Sequence, residues 1–283
     1  MSVAAHAAAE TTRAALATGR SKDRSPASVL FLCALWFSLF FGVVVLAALI
    51  IDTMIDGSSR FDANLFTQYE SLVRKDETGF RAGILGSIWL MITTAIITIP
   101  VGIATAVHLE EFSTGKGWFN RLIELNLQNL AAIPSIIYGM LAAAIMGLLG
   151  FTYKGIVLGG AIALGLLILP VIIITTREAI RAVPDEIRQG SLALGATVWQ
   201  TTWRQTLPAA IPGIATGTIL GLSRAIGEAA PLIMLGVALV RFDPTSLTSK
   251  VSALPVQIYN LASAPQEELR HAASAAIVLL LVM

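Results

Sequence analysis

The stretch QTLPAAIPGIATGTILGLSRAIGEAAPLIMLGVALV, residues 205–240, contains two charges, Arg224 and Glu228. Everything around them is apolar or small, so the stretch reads as a membrane-spanning helix. A charge at the centre of a bilayer costs roughly 2.5–3.5 kcal/mol on insertion scales. Residues four apart share one face of a helix, so the two side chains can meet. A membrane segment that keeps such a pair turns it toward another helix or a wet pathway, and the default reading is a route for a charged solute. The run is also too long for one straight crossing. From Ala209 to Leu239 a continuous helix would extend ~46 Å, against ~30 Å of hydrocarbon. It must tilt, break near Pro212 or Pro231, or begin outside the membrane.

The rest of the chain is built in the same style. Its 283 residues are 55% hydrophobic and 13% charged, where a soluble domain carries about 25% charged residues. Further apolar spans are expected at Val29–Ile51, Gly83–Val107, Leu130–Leu149 and Gly155–Thr176, with the long run as the fifth. A sixth begins near His271. The thirteen residues from there to Met283 are too few to cross the hydrocarbon, so this span is expected to be incomplete. Residues 1–28 are Ala-rich and basic and read as a disordered tail. Residues 52–82 and 241–270 read as long external loops, and 177–208 as a polar, helical internal loop. The expected fold class is all-α, a multi-pass transmembrane bundle of six spans occupying residues 29–283.

Several chemistries are excluded. The net charge of +1 and the lack of a basic run or aromatic platform argue against a nucleic-acid partner. Cys33 is the sole cysteine, which rules out an intrachain disulfide and a cysteine zinc site; in its apolar run it is expected to be buried. The three histidines stand far apart, no nucleophile–base set is visible, and no metal or cofactor is expected. Lys116 lies between two glycines, but no Gly-x4-Gly-Lys-Ser/Thr phosphate loop occurs, so ATP is not hydrolysed on this chain. Of the 19 Lys and Arg, ten fall on segments placed inside, eight outside, and the last is Arg224. This weakly favours an N-terminus in the cytoplasm.

The internal loop carries the most specific pattern. Asp185 is positioned to cap a short helix and Gly195 to end it in a left-handed turn, while Leu207-Pro208 sets the start of the next span. With Gly195, Leu207 and Pro208 in register, and Gln189, Gly190 and Ser191 standing where a Glu-Ala-Ala triplet would be, the segment resembles the cytoplasmic coupling loop of ABC importer permeases. Gln205 stands where that pattern has Ile. Three further stretches narrow the likeness: Asn129 to Gly139 (NLAAIPSIIYG), Leu169-Pro170 with Thr175 to Ala179 and Val183-Pro184, and Ser223 to Leu232 (SRAIGEAAPL). Together they resemble the phosphate ABC importer permeases, and the Ala-Pro after Glu228 is closer to the PstA-type subunit than to its PstC-type partner. The likeness covers about residues 30–283.

The resemblance implies a type I ABC importer-like permease in the cytoplasmic membrane of a prokaryote. It implies a homologous PstC-type permease subunit, two PstB-type ATPase subunits and an extracytoplasmic phosphate-binding protein as partners, with phosphate as the solute and the bilayer as solvent. The pair itself suits that solute. An Arg guanidinium binds two phosphate oxygens in a fork. A carboxylate beside it accepts the P–OH hydrogen and repels fully ionised sulfate. The competing reading is an ion pair that fixes helix register. Gly213, Gly217, Gly221, Ala225 and Ala229 form a small-residue stripe on the same span, expected to meet another helix and favouring that of a second subunit over one in the same chain. Arg224 and Glu228 lie about 100° round from it. Thr175, Thr176, Arg177 and Arg181 belong either to the cytoplasmic exit or to positive-inside topology, the latter preferred, and Asn129, Ser135 and Tyr138 either line the route or cap backbone near Pro134. The alternatives in function are a permease for sulfate or molybdate and a membrane receptor that moves nothing.

Overall fold

The computed structural model describes residues 26–71, 73–113 and 118–283, and these are helical throughout apart from loops. The residues up to Asp52 form one unit and Thr53–Met283 a second. The expected tail at 1–28 lies outside the described residues except for its last three, which already belong to helix α1 (Pro26–Gly57). That helix is apolar all round, and Cys33 on it is exposed rather than buried.

In the second unit, α2 (Arg81–Val107) and α5 (Val157–Arg181) are long apolar helices that pack side by side. Between them come α3 (Trp118–Ala131) and α4 (Ser135–Leu148). Pro134 sits in an extended conformation between these two and breaks what the sequence suggested as one span from Leu130. At 14 residues α4 extends only ~21 Å. Tyr138 donates its hydroxyl to the Leu130 carbonyl, which settles this residue as a cap across the break. The internal loop holds α6 (Asp185–Ala193), followed by a short turn of helix, Val198–Thr201, and a π-helical turn, Thr202–Thr206, that runs into α7 (Leu207–Ile226). The chain closes with α8 (Leu254–Ala262) and α9 (Glu267–Val282). Among the described residues, four helical runs are long and apolar enough to cross a membrane: 26–60, 81–112, 157–181 and 198–226.

Of the alternatives left for the long run, the structure shows a break, on the Pro231 side. Helix α7 stops at Ile226, residues 227–229 are non-helical, and a short helix, Ala230–Leu235, resumes before Gly236 ends it at φ 86°. The small-residue stripe meets the chain's own α5, not a second subunit. A Cβ on Gly213 would come within 2.7 Å of the Ala179 Cβ, and one on Gly217 would strike the Thr175 side chain. Small residues let the two backbones approach, the usual device where lipid supplies no hydrophobic drive. Ala225 continues the seam into a core of Leu164, Ile168 and Ile172.

The region 241–270, expected as a long external loop, is in part packed into the protein. Val251–Gln257 is buried at every position. Its backbone is extended before α8, and the Leu254 N–H donates to Ser87 Oγ at 2.9 Å. Buried non-helical backbone of this kind must find its hydrogen-bond partners in the surrounding protein. At the same end, Leu65 and Phe80 from the 52–82 segment are fully buried against α8 and α9.

Glu70 lies in that segment and is 4% exposed. Burial pushes its carboxyl up from the ordinary 4.5 to about 7, opposed by the nearby Arg241 cation. The folded state therefore holds a proton that the unfolded chain releases. The stabilisation is complete below pH 4.5 and is lost as pH rises toward 7. Thermal unfolding in detergent should show the wild type losing stability over this interval, and Glu70→Gln should remove that slope. Parallel pH profiles for the two proteins would contradict this.

Candidate functional site

Arg224 lies in the last turn of α7, where a cation is favoured by the helix dipole, and Glu228 lies just ahead of the following short helix, where an anion is favoured. The helix break thus suits both charges. Arg224 Nε stands 3.7 Å from Glu228 Oε1. This is an ion pair but too long for a hydrogen bond. In the single chain the Arg224 side chain is 47% exposed and that of Glu228 23%, whereas Ala225 next to them is 1% exposed. The pair therefore looks away from the chain's own core, flanking the seam as its position on the helix required.

The surroundings are made by the other two stretches singled out above. Gly139 on α4 backs directly onto the carbonyl of Pro231, so a side chain at 139 has no room. This seats the short helix Ala230–Leu235 against α4 and brings Tyr138 within electrostatic range of Arg224. Behind the break, Ser87, Leu90, Ala225, Ile226, Ala253 and Pro255 leave a gap of about 10 Å³. That is about the space of one water molecule, too small for an oxyanion.

The internal loop forms the second part of the site. Pro184 precedes α6, and Asp185 and Glu186 occupy its first turn, where acids suit the dipole. Asp185 is the first helical residue rather than a cap; its carboxylate takes Arg188 Nη1 at 2.9 Å. Gly195 has φ 86°, the left-handed turn expected of it. Thr197 and Gln200 then start the next turn with a reciprocal capping box, at 3.2 and 2.9 Å. Gly190 and Ser191 line an open cleft of about 470 Å³ together with Glu186, Ile187, Leu194 and Arg204. Ser191 Oγ is 2.9 Å from Thr201 Oγ1, which ties α6 to the turn that leads into α7. Gln189 is exposed and does not line the cleft, Leu207 is buried against Val107, Ile180 and Val183, and Pro208 opens α7 on its exposed side. Leu194, 91% exposed, leaves an apolar tip on the loop.

Two functional candidates were missed from sequence. Glu110 and Glu111, read only as the close of a span, sit in a π-helical turn, His108–Phe112, that extends α2. Glu110 meets Arg177 at 3.2 Å and Arg181 at 2.6 Å, and Glu111 meets Arg188 at 3.1 Å. The signal was present as arginines at 177 and 181, one helical turn apart on α5, and at 188 on α6, matched by two adjacent acids earlier in the chain. Arg177 and Arg181 are thus tied to the loop's anchorage, not set by topology alone. Lys116 lies outside the described residues. Among the described residues no cluster of His, Cys, Asp or Glu is arranged to hold a metal ion.

Comparison with known proteins matches residues 98–283 to the family of binding-protein-dependent transport system inner membrane components. The phosphate transport system permease protein PstA of Yersinia pestis is 31% identical over 271 residues, covering 96% of this chain and 89% of that protein. PstA 1 of Mycobacterium tuberculosis is 34% identical over 173 residues, 61% of this chain and 56% of the relative. Among solved structures, the MetNI methionine ABC transporter in inward-facing form superposes with a TM-score of 0.55 at 18% identity, covering 71% of this chain and 87% of that one. That likeness concerns the fold.

Proposed function

Because the chain belongs to the family of binding-protein-dependent transport system inner membrane components, we propose that it is the permease subunit of an ATP-driven phosphate importer. It is a multi-pass inner-membrane protein whose part in the cycle is to move the solute. Hydrolysis of ATP belongs to separate ATPase subunits, and a homologous permease subunit and an extracytoplasmic phosphate-binding protein complete the assembly. The N-terminus lies in the cytoplasm, as does the 177–208 loop, and residues 29–283 make up the transmembrane domain.

The observation that carries the solute assignment is the Arg224–Glu228 pair at the helix break, turned away from its own core. Its geometry does not favour a stabilising role. An exposed pair at this spacing contributes only about 0.3–0.5 kcal/mol, far less than the cost of placing charges in the membrane. Arg224 supplies a fork of N–H donors for two phosphate oxygens. Glu228, ionised, accepts the hydrogen of a P–OH group. Hydrogen phosphate and dihydrogen phosphate have such a hydrogen; sulfate does not. Because the gap behind the pair is almost filled, the anion passes between this chain and the second permease subunit.

Movement requires that the two conformations hold the anion differently. The cleft around Gly190 and Ser191 receives the ATPase, and Gly195 gives the loop its turn. The seam from Gly213 to Gly221 lets α5 and α7 move as packed neighbours. Uptake by the complete importer in proteoliposomes tests the assignment. Labelled phosphate should accumulate with ATP, and neither sulfate nor molybdate in large excess should suppress it. Accumulation of sulfate or molybdate without phosphate would replace phosphate by that anion. ATP-independent binding without accumulation would make the chain a receptor.

A further inference from the structure

The connection between the cytoplasmic loop and the membrane spans is not made by covalent chain alone. The Glu111 side chain is 8% exposed and accepts from both Nε and Nη2 of Arg188, at 3.2 and 3.1 Å. The same guanidinium donates to the carbonyls of Ile180 at 2.6 Å and Val183 at 2.9 Å, and to Asp185 at 2.9 Å. Arg188 therefore joins three pieces: α6, backbone carbonyls at and just past the C-terminal end of α5, and the turn that extends α2. Glu110, one residue before Glu111, binds α5 again through Arg177 and Arg181. Both N–H groups converge on one oxygen, Glu111 Oε1, and the pair lies largely out of water, so removing one partner costs far more than losing an exposed contact. The turn that carries the two acids is π-helical and extends α2, and there Glu110 meets α5 while Glu111 meets α6.

We infer that the Glu111–Arg188 pair is the strut through which the loop drives the spans. On this reading α6, α2 and the end of α5 move as one body when the ATPase pushes on the loop. The displacement then reaches α7, and with it Arg224, across the glycine seam. Glu111 and Arg188 are positioning residues: neither lies at the transport pair nor in the cleft offered to the ATPase. The inference rests on the chain being an ABC importer permease, but not on phosphate being its solute.

The test uses the complete importer in proteoliposomes with its binding protein. Glu111→Gln keeps the shape of the side chain and removes its charge. The expected result is ATP hydrolysis that continues while phosphate moved per ATP falls about ten-fold, at an unchanged KM for phosphate. Glu111→Asp, which keeps the charge and leaves Arg188 its other partners, should retain much of the ratio. An unchanged ratio in Glu111→Gln would overturn the inference, as would a Glu111→Asp no better than Glu111→Gln. Should Glu111→Gln fail to assemble, the spin-label separation in the wild type decides. Spin labels on α2 and α6 give a reading independent of the solute. Their separation should stay fixed through the ATP cycle in the wild type and vary in Glu111→Gln. A separation that already changes in the wild type would overturn the strut, whereas a wild type that cycles ATP without moving phosphate would overturn only the choice of solute.

Discussion

Arg224→Gln should reduce phosphate uptake by about 100-fold while the importer still assembles and reaches the membrane. The magnitude follows from the bonds lost. A hydrogen bond to a charged group contributes about 1.5–3 kcal/mol, and the guanidinium fork offers two, so removing the charge costs at least about 3 kcal/mol, or two orders of magnitude in rate. Assembly should survive because Arg224 contributes little to the fold. Its pairing with Glu228 is long and half exposed, its neighbour Ala225 makes the core contact, and the helix break is maintained by Gly139 against Pro231. Uptake assayed beside a pull-down of the complex separates the two effects. Wild-type uptake in an assembled variant would remove Arg224 from the route.

Much of this site could be read in the sequence because isolated charges in an apolar field are conspicuous. Arg224 and Glu228 needed no structure to be noticed, and the excess length of their span left a tilt, a break or a start outside the membrane, of which the structure has a break on the Pro231 side. Gly195 was equally legible, since a glycine after a polar helical turn has few other uses. What escaped reading has a common cause. The stripe from Gly213 to Ala229 showed a face but not its partner, because periodicity carries no address, and the partner was the chain's own α5. Val251–Gln257 was overshadowed by the breakers around it, Asp243-Pro244, Asn260 and Pro265, although five of its seven residues are apolar. Pro134 lay within an apolar run and so disappeared into a span. Glu110 and Glu111 lie some seventy residues from the arginines they bind, and only the packing of α2 on α5 brings the two sets together. Cys33 was assigned a buried place by its apolar neighbours, but on a helix whose every face is apolar such neighbours do not indicate burial.

Glu228 decides between an anion-handling pair and a plain counter-charge. A carboxylate placed to accept a P–OH hydrogen rejects an anion that has none, because an uncompensated like charge is added to a lost hydrogen bond. Its amide isostere can donate as well as accept and carries no charge, so it loses the basis for refusal. Glu228→Gln should therefore admit sulfate, with the preference for phosphate over sulfate falling about 100-fold, mostly through sulfate becoming acceptable. A counter-charge with no contact to the solute would act differently, lowering or raising uptake of both anions by the same factor. The deciding measurement is the ratio of labelled phosphate to labelled sulfate uptake in proteoliposomes holding the complete importer, wild type against Glu228→Gln. To bypass any filter imposed by the binding protein, both anions are supplied at saturating concentration. A collapse of the ratio is the predicted result; a ratio equal to the wild type's would contradict the assignment of this pair to phosphate.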